Sequence, residues 1–183
     1  MLRVTKVKEA AYLAISLHGT QTYDGHPYYY HLEQVVDILK EFGFTDDKFV
    51  IAGYLHDVME DTAISYNDIK NQFGEEVAEI VYAVTDELGR NRRERKAKTY
   101  PKIKENEDAI IVKLADRIAN VRNSIMNKPS MAKMYLKEYE SFRAELFYQK
   151  IATRELWICL DDLVLYNQNI DNKMIIAGEE NIV

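Results

Sequence analysis

Apolar side chains recur along this chain at spacings of three and four residues rather than at every second position. This periodicity is typical of amphipathic helices, in which the buried positions share one face. Only three prolines and seven glycines interrupt it, so the breaks between helices are few. The pattern therefore predicts an all-α fold, a helical bundle joined by short connections.

Glycines and capping residues divide this pattern into separate helices. A polar loop over residues 20–27 follows the first helix, and Ser65 to Asp68 resembles a capping box at the start of a short one. We expect Pro101 to bend its helix or end it early. The residues from Asn167 onward carry no clear prediction. The predicted helices cover residues 4–18, 29–42, 47–57, 66–73, 75–85, 90–104, 108–126, 130–150 and 151–166.

The composition fits one soluble domain. The 183 residues are 47% hydrophobic and 30% charged, which argues against disorder. The single cysteine, Cys159, suits a reducing compartment. The chain begins without a signal-type segment and has no apolar run of the ~18 residues that a membrane span needs. We expect a cytoplasmic protein with no membrane partner.

Two parts of the chain have different expected roles. Residues 1–150 form the functional domain, and residues 151–183 form a helical extension that packs on it. The apolar face of this extension, around Leu156 and Trp157, either completes the core or forms a homodimer surface.

The net charge of −6 disfavours nucleic acid as a partner, because such binding depends on neutralising phosphates. The run from Arg90 to Lys98 is the exception, since six of its nine residues are basic. It is either a solvated helix face or a collar for an anionic substrate. Nucleic-acid binding through this run is a weaker alternative.

The stretch from Leu55 to Thr62 concentrates metal ligands and proton carriers, with His56-Asp57 followed by Glu60-Asp61. Neighbouring carboxylates repel one another, and a bound cation is the simplest way to offset their charge. Further ligands could come from His31 and from Asp116.

Asp116 is the most informative of these candidates because it lies within an apolar helical segment. A carboxylate buried there requires a positive partner. An ion pair with Lys113 or Arg117 would serve, but we expect those side chains to project differently from the helix. A set of two histidines and two aspartates suits Mn²⁺, Fe²⁺, Co²⁺ or Zn²⁺. Such an ion commonly activates water for attack on phosphorus.

These four residues resemble the H…HD…D signature of HD-domain metal-dependent phosphohydrolases. The strings L-H-D-V-M-E-D-T at 55–62 and V-K-L-A-D-R-I-A-N-V-R at 112–122 are similar to a narrower branch, the (p)ppGpp hydrolase domain of the RelA/SpoT family. Segments 25–31 and 73–86 match it in order and spacing. The resemblance covers roughly residues 5–145 and implies an HD-domain helical bundle around a metal site. It also implies a stand-alone small alarmone hydrolase, since no room remains for a synthetase region.

The resemblance assigns roles residue by residue. It implies removal of the 3′-pyrophosphate of ppGpp or pppGpp, giving GDP or GTP and pyrophosphate, usually with Mn²⁺. The metal ligands would be His31, His56, Asp57 and Asp116, and Glu60 and Asp61 would act on the attacking water. The implied contacts to the nucleotide are Tyr23, Tyr28, Arg95, Lys96, Lys98, Asn120 and Tyr139.

Tyr23 departs from the family pattern, which implies an Arg or Lys before the Pro-Tyr pair. A tyrosine can stack on a purine but lacks the hydrogen-bonding fork of a guanidinium. Pyrophosphate chemistry is therefore better supported than guanine specificity. One alternative is an HD phosphohydrolase acting on another nucleotide, as an NADPH phosphatase or a nucleotidase. Another is a non-catalytic module that binds alarmones.

Overall fold

The computed structural model describes residues 5–147 and 150–180, with side chains through residue 170. This part of the chain is almost entirely helical, which confirms the all-α prediction. A 3₁₀ turn at Ile151–Thr153 precedes the last helix. The helices are α1 (Lys6–His18), α2 (Tyr29–Glu41), α3 (Asp47–Leu55), α4 (Val58–Asp61), α5 (Tyr66–Phe73), α6 (Glu75–Val84), α7 (Arg92–Glu105), α8 (Glu107–Asn127), α9 (Pro129–Leu146) and α10 (Arg154–Glu180).

Helix α8 is the centre of the bundle, and α2, α3, α6, α7, α9 and α10 pack around it. Its sequence is apolar on most faces, so side chains such as Leu114 and Ile118 are fully buried. Lys113, Asp116 and Arg117 are buried on the same helix. Burial of charge at this depth is unfavourable unless the charges are paired, so α8 marks where the chemistry of the fold lies.

The helix boundaries follow local signals. The Thr5 side chain accepts a hydrogen bond from the Lys8 amide and begins α1. Ser65 and Asp68 form the expected capping box at the start of α5. Gly74 ends that helix with a φ of 98°, a conformation that favours glycine.

The region from residue 20 to 27 is a correction to the polar loop expected there. It forms an antiparallel hairpin of β1 (Thr22–Tyr23) and β2 (His26–Pro27). Asp24 and Gly25 occupy the turn with φ values of 51° and 81°. Two positive φ values and an Asp-Gly sequence are characteristic of a type I′ turn, whose twist matches paired strands. The Asp24-Gly25 dipeptide is the feature of the sequence that indicates this hairpin.

Pro101 does not end α7, which continues to Glu105. Proline inside a helix costs about 3 kcal/mol because it removes one backbone hydrogen bond. Tyr100 and Ile103 on either side of it are buried in the core, and this packing compensates.

The C-terminal helices also differ from expectation. Helix α9 ends at Leu146 rather than near Lys150, and α10 continues to Glu180 instead of ending near Tyr166. Helix α10 packs on α8 and α9, with Leu156, Trp157 and Leu160 buried against the core. In the described ranges, no helix combines the length and apolar character that crossing a bilayer requires.

The packing of α10 predicts unequal effects for two leucines on that helix. Leu160 is 1% exposed and Leu165 is 57% exposed. We expect Leu160→Ala to lower the free energy of unfolding by about 2–5 kcal/mol, through lost burial and the cavity left behind. The matched control, Leu165→Ala, should change it by less than about 0.5 kcal/mol.

Urea denaturation followed by circular dichroism measures both values. A small and equal effect of the two substitutions would show that α10 contributes little to the folded domain.

Candidate metal and nucleotide site

Three helices bring the predicted metal ligands together. His31 lies in the first turn of α2, His56 directly follows α3, and Asp116 lies in the middle of α8. These helices pack against one another, so the side chains meet although they are far apart in sequence. Asp57 sits between α3 and α4, where the chain turns beside His56.

The four side chains converge on one point. Nε2 of His56 lies 3.0 Å from Oδ2 of Asp57 and 3.8 Å from Oδ1 of Asp116. Nε2 of His31 lies 3.7 Å and 3.4 Å from the same two oxygens. One ligand atom each of His31, His56 and Asp116 fall within 4.8 Å of one another. This spacing suits the donors of a single divalent cation.

A hydrogen bond to the main chain fixes the orientation of the His56 ring. Its Nδ1 donates to the Gly53 carbonyl at 2.8 Å. This contact keeps a proton on Nδ1 and directs Nε2 into the cluster, where it would bind a cation after losing its own proton. Nε2 is buried and makes no hydrogen bond within the described residues. A buried ring nitrogen without a hydrogen bond beside two carboxylates fits a metal ion, and so does the donor set.

The same cluster shifts the pKa values of its members. Burial opposes a charge on His56, but the carboxylates of Asp57 and Asp116 outweigh it and raise its pKa to about 9. Burial also opposes ionisation of Asp57, but His56 lowers its pKa below the usual range. Asp57 is therefore a carboxylate, the form that binds cations.

Asp116 has a positive partner that the sequence analysis had set aside. Nζ of Lys113 lies 2.8 Å from Oδ2 of Asp116. Residues three apart on a helix share a face, so the expectation that they project apart was wrong. Although burial works against it, Lys113 holds the pKa of Asp116 well below its usual value. The ion pair occupies Oδ2, and Oδ1 remains directed at the histidines.

Aromatic and amide side chains support the ligands. The Tyr28 hydroxyl donates to Oδ2 of Asp57 at 2.5 Å. The Tyr23 ring stacks on His31 with 4.7 Å between ring centroids, and its hydroxyl donates to Asn120 at 3.0 Å. Asn120 in turn donates to the carboxylate and the main-chain carbonyl of Asp116. In this structure Tyr23, Tyr28 and Asn120 therefore orient metal-ligand candidates.

The two predicted catalytic carboxylates have different surroundings. Glu60 lines the cavity beside the cluster, and its Oε2 accepts a hydrogen bond from the Asp86 amide at 3.2 Å. Burial, followed by the charges of Asp86 and Asp57, raises the pKa of Glu60. Asp61 does not line the cavity. It accepts a hydrogen bond from Gln21, just before the hairpin, at 2.9 Å.

The cluster opens into a cavity of about 180 Å³ whose wall carries five arginine and lysine side chains beside four carboxylates. Of the basic residues predicted to contact a nucleotide, Arg95 and Lys96 line it. Lys98 does not, because its ammonium group is bonded to the Leu88 carbonyl and paired with Glu94. Tyr139 also lies elsewhere, with its hydroxyl bonded to Asp161 of α10.

The cavity wall includes residues that the sequence analysis did not select. Arg92 belongs to the basic run. Lys113 and Arg117 lie in the string at 112–122 but were considered only as partners of Asp116, and Asp86 ends the matched segment 73–86. The additional residues are Asp86, Arg92, Lys113, Arg117 and Tyr135.

Comparison with known proteins identifies relatives by both sequence and structure. A family model described as HD domain matches residues 10–154. The chain is 32% identical over 146 residues to the guanosine-3′,5′-bis(diphosphate) 3′-pyrophosphohydrolase of Xenopus tropicalis, covering 76% of this chain and 82% of that one. It is 33% identical over 150 residues to the enzyme of the same name from Aquifex aeolicus, covering 79% of this chain and 21% of the relative.

The chain thus spans about a fifth of the length of the Aquifex relative and 59% of a further relative of that name from Drosophila melanogaster. Among solved structures, one described as a metazoan ortholog of SpoT that hydrolyzes ppGpp superposes with a TM-score of 0.76. That match has 27% identity and covers 89% of this chain and 96% of the other.

The geometry predicts which histidines bind metal. We expect His56→Ala to weaken Mn²⁺ binding by at least about 100-fold, since even loss of a residue that only orients a ligand typically costs 10–100-fold. His26→Ala should leave the affinity unchanged, because His26 is exposed in β2 and packs against Tyr30.

Isothermal titration of each variant with Mn²⁺ measures both affinities. Unchanged binding by the His56 variant would rule out the cluster as the metal site.

Proposed function

The chain belongs to the HD-domain family, as its H…HD…D pattern predicted, and from this premise we propose that it hydrolyses the 3′-pyrophosphate of guanosine tetra- and pentaphosphate. The products are GDP or GTP and pyrophosphate. One observation carries the proposal: a cluster of two histidines and two aspartates opens into a cavity walled by arginines and lysines. The relatives whose names describe this reaction support the choice of substrate.

The proposed metal ligands are His31, His56, Asp57 and Asp116, and the proposed ion is Mn²⁺. When bound, the ion supplies a Lewis acid for attack of water on phosphorus. Tyr28 and Asn120 hold the carboxylates of Asp57 and Asp116 in place.

The remaining side chains act on water and phosphate. Glu60 accepts a proton from the attacking water, and its raised pKa improves this role. We assign Asp61 to the same water, with Gln21 fixing its carboxylate. Arg92, Arg95 and Lys96 line the cavity and stabilise the charge that develops on the leaving pyrophosphate.

A second candidate substrate is another phosphorylated nucleotide such as NADPH. Tyr23 supports it, because the residue in the place of the family's cation stacks on His31 and bonds to Asn120. Nothing in those contacts selects guanine. The phosphate chemistry is the same for both candidates, so only the substrate distinguishes them.

We further infer a cytoplasmic location, a hydrolase domain over residues 1–150 and an extension over residues 151–183 that packs on it. Packing of α10 on α8 supports the arrangement of the extension. Homodimer formation stays a prediction. Exposed apolar residues on α10, such as Leu165 and Tyr166, would be available for it.

The division of roles predicts different defects in two variants. Asp116→Ala removes a ligand and should abolish both Mn²⁺ binding and turnover. Glu60→Ala should keep the metal and lower kcat by roughly 10²–10⁴-fold, the usual contribution of a general base. Metal analysis together with steady-state kinetics measures both effects. Equal loss of metal from the two variants would contradict the separate roles.

A panel of nucleotides tests the substrate directly. Mn²⁺-loaded protein should release pyrophosphate from ppGpp faster than it releases phosphate from NADPH. The reverse order would favour the second candidate. Binding of ppGpp without turnover by fully loaded protein would favour a non-catalytic alarmone module.

A further inference from the structure

Asp86 is a nearly buried carboxylate that no part of the proposed reaction uses. It follows α6 in the chain, and only 4% of its side chain is exposed. Both of its oxygens accept from Nζ of Lys96, at 2.8 Å and 2.9 Å. Nε of Arg95 lies 3.7 Å from Oδ2. Asp86 thus lies behind two of the cations in the cavity wall.

Lys96 is surrounded mainly by positive charge. Arg92 lies four residues earlier on α7, Lys113 faces it from α8, and Lys137 and Glu138 of α9 line the adjoining groove. Burial, followed by the charge of Lys113, lowers the pKa of Lys96 to about 8, while Asp86 acts in the opposite direction. Asp86 is therefore the contact that favours the ammonium form most directly.

Residue 86 also contacts the catalytic carboxylate, but through a different group. Its main-chain amide donates to Oε2 of Glu60, and its side chain holds Lys96. A side-chain substitution that keeps the backbone therefore separates the two contacts. Removal of the charge should affect Lys96 and leave the hydrogen bond to Glu60 in place.

We propose that Asp86 is the positioning residue for Lys96: its carboxylate fixes the ammonium group at the cavity wall and keeps it charged for a substrate phosphate. This inference rests on the proposed function, because it takes the ligand to be a phosphorylated nucleotide. Phosphate recognition then requires both a lysine in the cavity wall and a carboxylate that pairs with that lysine.

The expected result of Asp86→Asn is a KM effect that depends on pH. Lysine is charged below its pKa, so the wild-type residue is about half charged at pH 8. If the substitution lowers the pKa by about one unit, the charged fraction at pH 8 falls about fivefold and KM for ppGpp rises about fivefold. At pH 6 Lys96 is charged in both the wild-type protein and the variant, and their KM values should differ by less than about twofold.

The kcat should fall as well, because Lys96 also stabilises the leaving pyrophosphate and the charge of Asp86 contributes to the raised pKa of Glu60, so the pH dependence of KM is the diagnostic result. A flat KM ratio between pH 6 and pH 8 would overturn the proposal. Asp86→Ser removes the same charge with a smaller side chain and should give the same pH dependence. It provides a second test if the asparagine variant folds poorly.

Two control variants isolate the charge pair. Glu87→Gln removes the neighbouring carboxylate, which does not line the cavity. Glu87 pairs at 2.6 Å with Lys102, which lies on α7 like Lys96. It should leave KM unchanged at both pH values. In a Lys96→Arg background, Asp86→Asn should lose its pH dependence, since a guanidinium stays charged throughout this range.

A readout without substrate separates this inference from the proposed function. Lysines carrying ¹³C-methyl labels can be titrated by NMR, with the Lys96 signal assigned from the Lys96→Arg variant. Its pKa should fall by about one unit in Asp86→Asn. An unchanged titration would overturn the role of Asp86. Failure of the wild-type protein to hydrolyse ppGpp, with the titration shifted, would contradict the proposed function instead.

Discussion

The buried carboxylate of Asp116 is the constraint on which the rest of the site depends. It lies in the middle of the central helix, where an uncompensated charge would be strongly destabilising. Lys113 neutralises one of its oxygens from one turn earlier on the helix, and Asn120 donates from one turn later. The oxygen that accepts from Asn120, Oδ1, also faces His31 and His56. A carboxylate held in this way is fixed in direction before any cation arrives, which is the preorganisation that a metal site needs.

The same arrangement of charges continues around the cavity. Lys113 has Asp116 behind it, Lys96 has Asp86, and Arg92 and Arg117 share Glu138. Lys113 and Asp116 belong to the same helix, whereas Glu138 of α9 pairs with Arg92 of α7 and Arg117 of α8. The packing of α7, α8 and α9 therefore sets the spacing of the cations. An anionic group entering the cavity meets dipoles and charges that are already oriented. Fixed charges of this kind stabilise a developing negative charge without reorganisation.

Much of this site could be predicted because its chemistry is local in the sequence. His56 and Asp57 are adjacent, and an aspartate within an apolar helix signals a partner on its own. The ion pair of Lys113 with Asp116 is also local in the sequence, since residues three apart on a helix share a face.

Asp86 and Glu138 could not have been found in the same way. Asp86 and Lys96 are ten residues apart but share no helix, and Glu138 meets Arg92 and Arg117 only because α9 packs on α7 and α8. Lys98 shows the reverse error. It belongs to the basic run, but its position on α7 directs the ammonium group to the Leu88 carbonyl and away from the cavity.

Under the proposed function, the hairpin would determine how the base end of a substrate is recognised. Its Asp-Gly turn places Tyr23 over His31, and Asp24 bonds to Asn123 and pairs with Lys128 at the far end of α8. The strand is therefore anchored on both sides of the ring. Through its contacts to His31 and Asn120, this tyrosine supports the proposed metal ligands. Under the proposed function, phosphate contacts would then supply most of the binding energy, and base selectivity would depend on the space beside the hairpin rather than on a guanidinium.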